Sequence, residues 1–181
     1  EVGVESCAGS AQNDTGSVHI HLGLSDGTFT PQPQFTYFGL GRDDRLQRAV
    51  SIGDLNGDGR SDLLLGTTNA DSSFASVTNS GSVSLLLGRG LADEAAGRVQ
   101  LICNADWQFE GVSANDSVGA AITPTGDLNA DGCDDFAFSA TRQELGQSDE
   151  GLVWVVYGWG GSGCPPAAEG LVFESNEANA R

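Results

Sequence analysis

The sequence contains no lysine and no methionine, so its eight basic residues are all arginine. They stand against 25 acidic residues, which leaves a formal net charge of −17. A protein that binds nucleic acid neutralises phosphates with a basic surface, and a protein that binds anionic lipid uses a run of basic residues. Neither feature is present in the sequence. We therefore expect no nucleic-acid partner and no attachment to a membrane surface, and cations are the expected partners.

Long apolar stretches are also missing. No run approaches the ~20 residues that a membrane-spanning helix needs, and no charged-then-apolar segment at the amino terminus has the pattern of an export signal. We therefore expect no membrane insertion. Because the chain begins at Glu1 and has no methionine, we expect it to be a piece of a longer, processed product.

Recognisable catalytic motifs are absent as well. The sequence has no GxSxG, no HExxH and no glycine-rich phosphate loop with its lysine. It also has only two histidines, and most of its clustered carboxylates fall in two acidic loops with a metal-binding pattern. We therefore expect that the chain is not an enzyme.

The four cysteines (Cys7, Cys103, Cys133 and Cys164) are scattered and form no CxxC pair. This spacing favours structural disulfides over a zinc site, and disulfides persist in oxidising compartments. We therefore expect a secreted protein that is extracellular, displayed at a cell surface or periplasmic. Four cysteines allow three pairings, among which the sequence alone does not choose. Cys103, which precedes the aromatic strand of the same unit, is the candidate partner of Cys133.

Repeats dominate the pattern of the chain. Its 26 glycines and its few helix-favouring runs indicate many turns and short strands. An acidic segment occurs twice, an alternating strand pattern occurs three times, and aromatic strand patterns accompany them. The acidic segments are 51–66 and 124–139, the alternating strands are 16–23, 81–88 and 151–158, and the aromatic strands are 35–39, 107–111 and 170–173.

Each repeat unit contains four strand patterns, in the order aromatic, short, apolar and alternating, with the acidic loop before the apolar strand. This order predicts an all-β fold of β-propeller blades, with about three four-stranded antiparallel units in one region, 1–181. The predicted limits are 1–30 for the closing part of a blade, 31–90 and 103–160 for two full blades with one acidic loop each, and 168–181 for the opening strand of a further blade.

The two acidic loops share the pattern DxNxDGxxD, with oxygen-bearing side chains at loop positions 1, 3, 5 and 9. Calcium takes six to eight hard oxygen ligands, and the glycine at position 6 permits the sharp turn that brings alternate residues together. The backbone carbonyl at position 7 is expected to complete the set. We predict two calcium ions per chain, held by Asp54, Asn56, Asp58, the carbonyl of Arg60 and Asp62, and by Asp127, Asn129, Asp131, the carbonyl of Cys133 and Asp135.

These loops differ from an EF-hand, which has a glutamate at position 12 and helices on both sides. Here position 12 is Leu65 or Phe138, inside an apolar strand pattern, so the sequence predicts a strand–loop–strand site. Magnesium is disfavoured because it keeps several of its waters. The alternative is a turn rich in Asp and Gly that binds no ion.

Two further groups of residues are candidate sites. His19 and His21 alternate on one strand but have no third metal-ligating residue nearby, so exposed polar residues are the favoured interpretation. Trp107, Trp154 and Trp159 can form a sugar-stacking platform. Aromatic residues on blade strands more often pack between blades, and that interpretation is favoured here.

In its acidic loops the chain resembles the FG-GAP repeat family, which includes the calcium-binding blades of the integrin α-subunit β-propeller and their bacterial relatives. The resemblance extends over nearly the whole chain, although the name-giving triplets are degenerate. Phe-Gly is replaced by Val118-Gly119 in one unit and by Leu46-Gln47 in the other. The resemblance implies a propeller whose loops hold calcium on one face, and a role in adhesion or ligand binding.

The favoured function is a non-enzymatic, calcium-stabilised module for extracellular adhesion, protein–protein interaction or assembly, with a protein or glycan ligand. The alternatives are a carbohydrate-binding module and an accessory domain of a calcium-dependent hydrolase or lyase. Closed propellers have about four to eight blades. Three arrangements are therefore open: further blades outside this chain, a homo-oligomer whose chains complete the ring, and a short open array.

Overall fold

A computed structural model of the chain describes residues 15–39, 41–72, 76–88, 98–101, 105–143, 151–159 and 171–174. In these segments the protein consists of β-strands, turns and loops, with no helix. The all-β prediction is therefore confirmed. Among the same residues no helix is long and apolar enough to cross a membrane.

Eleven strands form three sheets in the described part of the chain. The first sheet has the order β1-β2-β6, the second β3-β4-β5-β7, and the third β11-β10-β9-β8. The strands are β1 (Ser17–Ile20), β2 (Phe35–Phe38), β3 (Leu46–Gly53), β4 (Asp62–Thr67), β5 (Ser82–Leu86), β6 (Arg98–Leu101), β7 (Trp107–Glu110), β8 (Val118–Gly126), β9 (Asp135–Ala140), β10 (Leu152–Val156) and β11 (Leu171–Glu174).

The second and third sheets are four-stranded and antiparallel throughout, as predicted for full blades. The first sheet differs, because β6 adds to the outer side of β2 in a parallel pairing. This sheet has three strands in the described residues. The three sheets do not close into a ring there, which is the arrangement of a partial propeller.

Each aromatic strand joins the sheet that precedes it in the chain. β2 pairs with β1, β7 pairs with β5, and β11 pairs with β10, always antiparallel. In the second and third sheets the outermost strand thus comes from the start of the next repeat unit, whereas in the first sheet β6 lies outside β2. The strand membership of the sheets is therefore offset from the unit limits read from the sequence, and the crossing chain ties neighbouring sheets together.

A second contact between neighbouring sheets occurs twice in the same form. The backbone N–H of Leu46, at the start of β3, donates to the carbonyl of Thr15 at 2.8 Å. The N–H of Val118, at the start of β8, donates to the carbonyl of Ser80 at 3.0 Å. The repeat in the sequence is therefore also a repeat in how one sheet is attached to the next.

The largest core lies between the second and third sheets. Phe136 and Phe138 of β9 are buried, and aromatic side chains of β7 pack against them. The ring centroids of Phe109 and Phe138 are 5.1 Å apart, and those of Trp107 and Phe136 are 5.9 Å apart. Such aromatic pairs add to the stability that comes from buried area. This core fixes the position of the two acidic loops relative to each other.

Candidate metal centre

Each acidic loop connects two adjacent strands of one sheet, β3 to β4 in the second sheet and β8 to β9 in the third. Loop 1 (54–62) follows the end of β3 at Gly53, and loop 2 (127–135) follows the end of β8 at Gly126. Both glycines have a positive φ, +79° and +66°, at a register shift at the end of the strand pair. A left-handed residue is favourable only for glycine there, and it turns the chain sharply into the loop.

Loop 1 is organised by side-chain oxygens that accept hydrogen bonds from its own backbone. The N–H of Asp58 donates to Asp54 Oδ1 at 2.9 Å and to Asn56 Oδ1 at 3.1 Å. The N–H of Gly59, where φ is +86°, donates to Asp54 Oδ2 at 2.7 Å. The oxygens of positions 1 and 3 therefore meet on the inner side of one tight turn, as the sequence predicts.

Loop 2 repeats this network atom for atom. The N–H of Asp131 donates to Asp127 Oδ1 at 3.0 Å and to Asn129 Oδ1 at 3.1 Å. The N–H of Gly132, with φ of +93°, donates to Asp127 Oδ2 at 2.9 Å. Ala130 adopts φ of +60° where loop 1 has Gly57 at +69°. The conformation is thus held even where the second loop lacks the more permissive residue.

The last aspartate of each loop is turned inward. Asp62 has an exposed fraction of 1%, and its two carboxylate oxygens accept the N–H groups of Leu55 at 2.8 Å and Gly88 at 2.6 Å. Asp135 is fully buried and accepts those of Leu128 at 2.7 Å and Gly158 at 2.8 Å. Asp62 therefore fastens loop 1 to the chain just after β5, and Asp135 fastens loop 2 to the chain just after β10.

This placement differs from that of the other predicted ligands, which lie at the loop surface or are half-buried. Each carboxylate oxygen has a second lone pair, so the role of Asp62 and Asp135 as calcium ligands stays a prediction. Burial raises the pKa of Asp62 above its ordinary value. The N–H groups of Gly88 and Leu55 oppose this rise, and the charges of Asp58 and Asp54 add to it.

Asp135→Asn is expected to destabilise the protein by about 1–3 kcal/mol, because the new amide group presents a donor to a buried backbone N–H that loses its acceptor. The melting temperature is expected to fall by about 3–10 °C, measured in calcium-free buffer so that metal binding does not contribute. Asp43→Asn is the matched control, because Asp43 is exposed and has the positive φ that asparagine tolerates. Equal shifts for the two variants would contradict the bracing role of Asp135.

The chemistry of the donor set fits calcium. Each loop offers hard carboxylate and amide oxygens, and in the described residues no basic side chain pairs with its aspartates. Among those residues, no three His, Cys, Asp or Glu side chains converge as a metal-holding group. Two of the five predicted ligands in each loop are an asparagine oxygen and a backbone carbonyl, which a group of that kind does not include.

The two residues predicted to contribute carbonyls have different surroundings. Arg60 is exposed, and its N–H donates to Asp58 Oδ1 at 2.9 Å. Cys133 has an exposed fraction of 1% and is disulfide-bonded. The other three cysteines lie outside the described residues, so the pairing with Cys103 stays a prediction. The sulfur of Cys133 is therefore held in a disulfide bond and not available to a metal ion, which agrees with the preference of calcium for oxygen ligands.

The histidines and tryptophans take the roles that the sequence favoured. His19 is hydrogen-bonded to Ser17 and Thr36, and His21 Nδ1 lies 2.8 Å from the carbonyl oxygen of Thr30. Trp107 and Trp159 contact each other edge to face, with centroids 6.1 Å apart. They line a small cleft beside loop 1, together with Leu55, Asn56, Leu85, Leu87 and Asp106.

One residue at the loops was missed by reasoning from the sequence. Asp134, at position 8 of loop 2, accepts a hydrogen bond from the N–H of Asp54 and donates one to its carbonyl. The corresponding residue of loop 1 is Ser61, so comparison of the two repeats gives no signal for this contact. Only the packing of the second sheet against the third brings the two residues together.

Comparison with protein-family models gives two overlapping matches. The FG-GAP repeat model matches residues 47–86, which contain β3 except its first residue, loop 1, β4 and β5. The FG-GAP-like repeat model matches residues 7–65. The third sheet lies beyond both matches, and its relation to them rests on the shared loop network and strand order. A search of curated proteins found no match to the chain.

Proposed function

We propose that this chain, which carries repeats of the FG-GAP family, is a non-enzymatic β-propeller-type module in which each acidic loop binds one structural calcium ion. FG-GAP repeats suggest a module for protein interaction. The finer proposal is that the module acts outside the cell or in the periplasm, in adhesion or assembly, and that calcium keeps its loops in a binding-competent form.

The observation that carries this proposal is the identical oxygen arrangement of the two loops. In both loops one backbone N–H is shared by the side-chain oxygens of positions 1 and 3, and the next N–H is bound by position 1. A turn stabilised for its own sake needs only one such oxygen. The repeated cluster of acidic oxygens supports a cation-binding role, because the repulsion among its carboxylates is relieved by a cation.

Calcium would be held by the side chains of positions 1, 3 and 5 and by the carbonyl of position 7, with position 9 supporting or completing the set. When bound, the ion supplies positive charge and no reaction chemistry. In loop 1 this charge would counter the effect of burial on Asp62, because a nearby opposite charge favours the ionised carboxylate. The loops are therefore expected to be less stable without calcium.

Association with a further blade is the proposed route to assembly. Leu55 of loop 1 is fully buried under the third sheet, and the N–H of Trp159 donates to its carbonyl at 3.1 Å. Leu128, at the same position of loop 2, is 57% exposed. The surface around Leu128 is thus equivalent to the surface around Leu55, which the third sheet covers. A further blade, from a second copy or from a longer chain, would fit there.

The glycan-binding alternative has less support. Trp107 makes edge-to-face contacts with Phe136 and Phe138 of the neighbouring sheet and is half-buried, so its ring takes part in the core. The cleft beside loop 1 is small, and its tryptophans meet at 65° instead of lying side by side as a flat platform. Packing between blades explains their position without a sugar.

Isothermal titration with calcium tests the proposal. The wild type is expected to bind two ions. D54N/D58N and D127N/D131N are each expected to bind one, because loss of two carboxylates removes most of the charge that holds the ion. The matched control is D43N/D71N, which removes two charges outside the loops and is expected to keep both sites. A wild type that binds no calcium would contradict the proposal, and so would loop variants that still bind two ions.

A further inference from the structure

The two acidic loops are joined to each other by one residue. The N–H of Asp54 donates to Asp134 Oδ2 at 2.9 Å, and the N–H of Asp134 donates to the carbonyl of Asp54 at 3.2 Å. Both backbone hydrogen-bonding groups of the first residue of loop 1 are thus satisfied by loop 2. A hydrogen bond to a charged acceptor is stronger than one between neutral groups, so the carboxylate is the firmer half of this contact.

The position of Asp134 in loop 2 places this contact beside two predicted calcium ligands. It lies between Cys133, whose carbonyl is a predicted ligand, and the buried Asp135, which fastens loop 2 to β10. Asp54 in turn is the first predicted ligand of loop 1. One residue therefore touches the ligand set of loop 1 through hydrogen bonds and that of loop 2 through its own peptide bonds.

The approach of the two loops is close, and it requires glycine. A Cβ atom added at Gly53 would overlap the carboxylate of Asp134. At Gly126, which holds the same place before loop 2, an added Cβ atom would have nothing within 4 Å. The two glycines have similar φ, +79° and +66°. They differ in their surroundings, so they form a natural pair for testing the contact.

The linkage is also asymmetric. Asp54 and Asn56 of loop 1 are half-buried beside loop 2, whereas Asp127 and Asn129 of loop 2 are exposed. Loop 2 therefore braces loop 1, and among the described residues no side chain of loop 1 accepts a hydrogen bond from loop 2 in return; loop 2 is constrained instead by the disulfide bond of Cys133. When each loop is measured with the other one empty, the effect of removing Asp134 is therefore expected to fall mainly on loop 1.

We propose that Asp134 is a positioning residue that couples the two calcium sites, so that occupation of loop 2 raises the calcium affinity of loop 1. This inference rests on the proposed calcium-binding function. An ion in loop 2 holds residues 133–135 in place, and Asp134 then holds the backbone of Asp54 in the position that calcium binding needs. The coupling is reciprocal, because an effect of one site on the other is a single free energy shared by both.

Calcium titration of single-loop variants measures the coupling. The affinity of loop 1 in the wild type is compared with its affinity in D127N/D131N, where loop 2 does not bind. We expect loop 1 to bind about tenfold more weakly when loop 2 is empty, within the usual range for coupled sites. In the D134A background this ratio is expected to fall to about one, because the carboxylate that connects the loops is gone.

Two controls separate coupling from a general loss of structure. D134N keeps an oxygen that accepts from the N–H of Asp54, so it is expected to retain most of the coupling. D54N/D58N leaves only loop 2, and adding D134A to it is expected to change calcium affinity less than about threefold, which is below the usual range of a coupling effect. Coupling that survives in D134A would overturn the proposal. An equal loss of affinity at the two loops, each measured with the other loop empty, would also overturn it, because that result means a general loss of structure.

A measurement without calcium tests the contact independently of the metal. Gly53→Ala is expected to lower the melting temperature clearly more than Gly126→Ala. Both substitutions place alanine at an unfavourable positive φ, and only Gly53→Ala also displaces the carboxylate of Asp134. Equal shifts would overturn the inter-loop contact and with it the coupling. If the glycine pair behaves as expected and no calcium binds, the contact is present but both the function and the coupling are refuted.

Discussion

Removal of calcium is expected to lower the melting temperature of the protein by about 10–20 °C. At a free calcium concentration of a hundred times the dissociation constant, each site adds about 2.7 kcal/mol to the free energy of unfolding. Two sites together add roughly 5 kcal/mol, and each kcal/mol corresponds to about 2–4 °C in a chain of this size. The measurement is a thermal melt in calcium and after chelation with EDTA.

The control for this prediction is the variant D54N/D58N/D127N/D131N, which lacks the outer carboxylates of both loops. Its melting temperature is expected to be the same with calcium and with EDTA. Addition of magnesium to the chelated wild type is expected to restore little of the loss, because magnesium keeps its waters. A wild-type melting temperature that does not respond to chelation would contradict structural calcium.

Phe138→Ala is expected to destabilise the protein by about 3–5 kcal/mol, because it opens a cavity in the core between the second and third sheets. The Phe138 side chain is 2% exposed, and its ring contacts those of Trp107, Phe109, Phe136 and Trp154. The melting temperature is expected to fall by about 6–20 °C. Chemical denaturation gives the free energy directly.

Phe29→Ala makes the same chemical change at a surface position, since Phe29 is 70% exposed. Its expected effect is within about 0.5 kcal/mol. If Phe138→Ala costs no more than this control, the two sheets are not packed through β7 and β9 in solution. That result would also remove the geometry that brings loop 2 against loop 1.

The sequence is sufficient to predict the all-β fold and the turns of both loops. The DxNxDG spacing leads to the observed arrangement, because the side chains of positions 1 and 3 reach the backbone N–H groups only a few residues later. Local contacts of this kind depend on the nearest residues alone. For the same reason the left-handed glycines Gly59 and Gly132 could be foreseen.

Contacts between distant segments could not be predicted in the same way. The sequence predicts Asp62 as a calcium ligand, which stays a prediction, but it did not indicate that the Asp62 oxygens accept the N–H groups of Leu55 and of Gly88, which lies on the far side of β5. A signal did exist in the repeat, because Gly88 and Gly158 follow equivalent strands. The membership of the aromatic strands in the preceding sheet likewise depends on pairing between units, which the pattern within one unit does not contain.

The contact of Asp134 could not be predicted from the residues that the two loops share. The two loops agree at positions 1, 2, 3, 5, 6 and 9, so position 8 carries no common signal. Asp134 has a special role only because a third sheet packs against loop 1 and none in the described residues packs in the same way against loop 2. In a repeat protein, such differences between equivalent positions indicate where one unit acts on the next.

Native mass spectrometry of the chain, with calcium and after chelation, tests the central claim most directly, because one spectrum reports both bound ions and chain number. We expect two calcium ions on each chain and none after chelation, in a monomer or in an assembly that loosens when calcium is removed. Chains that carry no calcium at saturating concentration would contradict the account, whatever their number in the assembly.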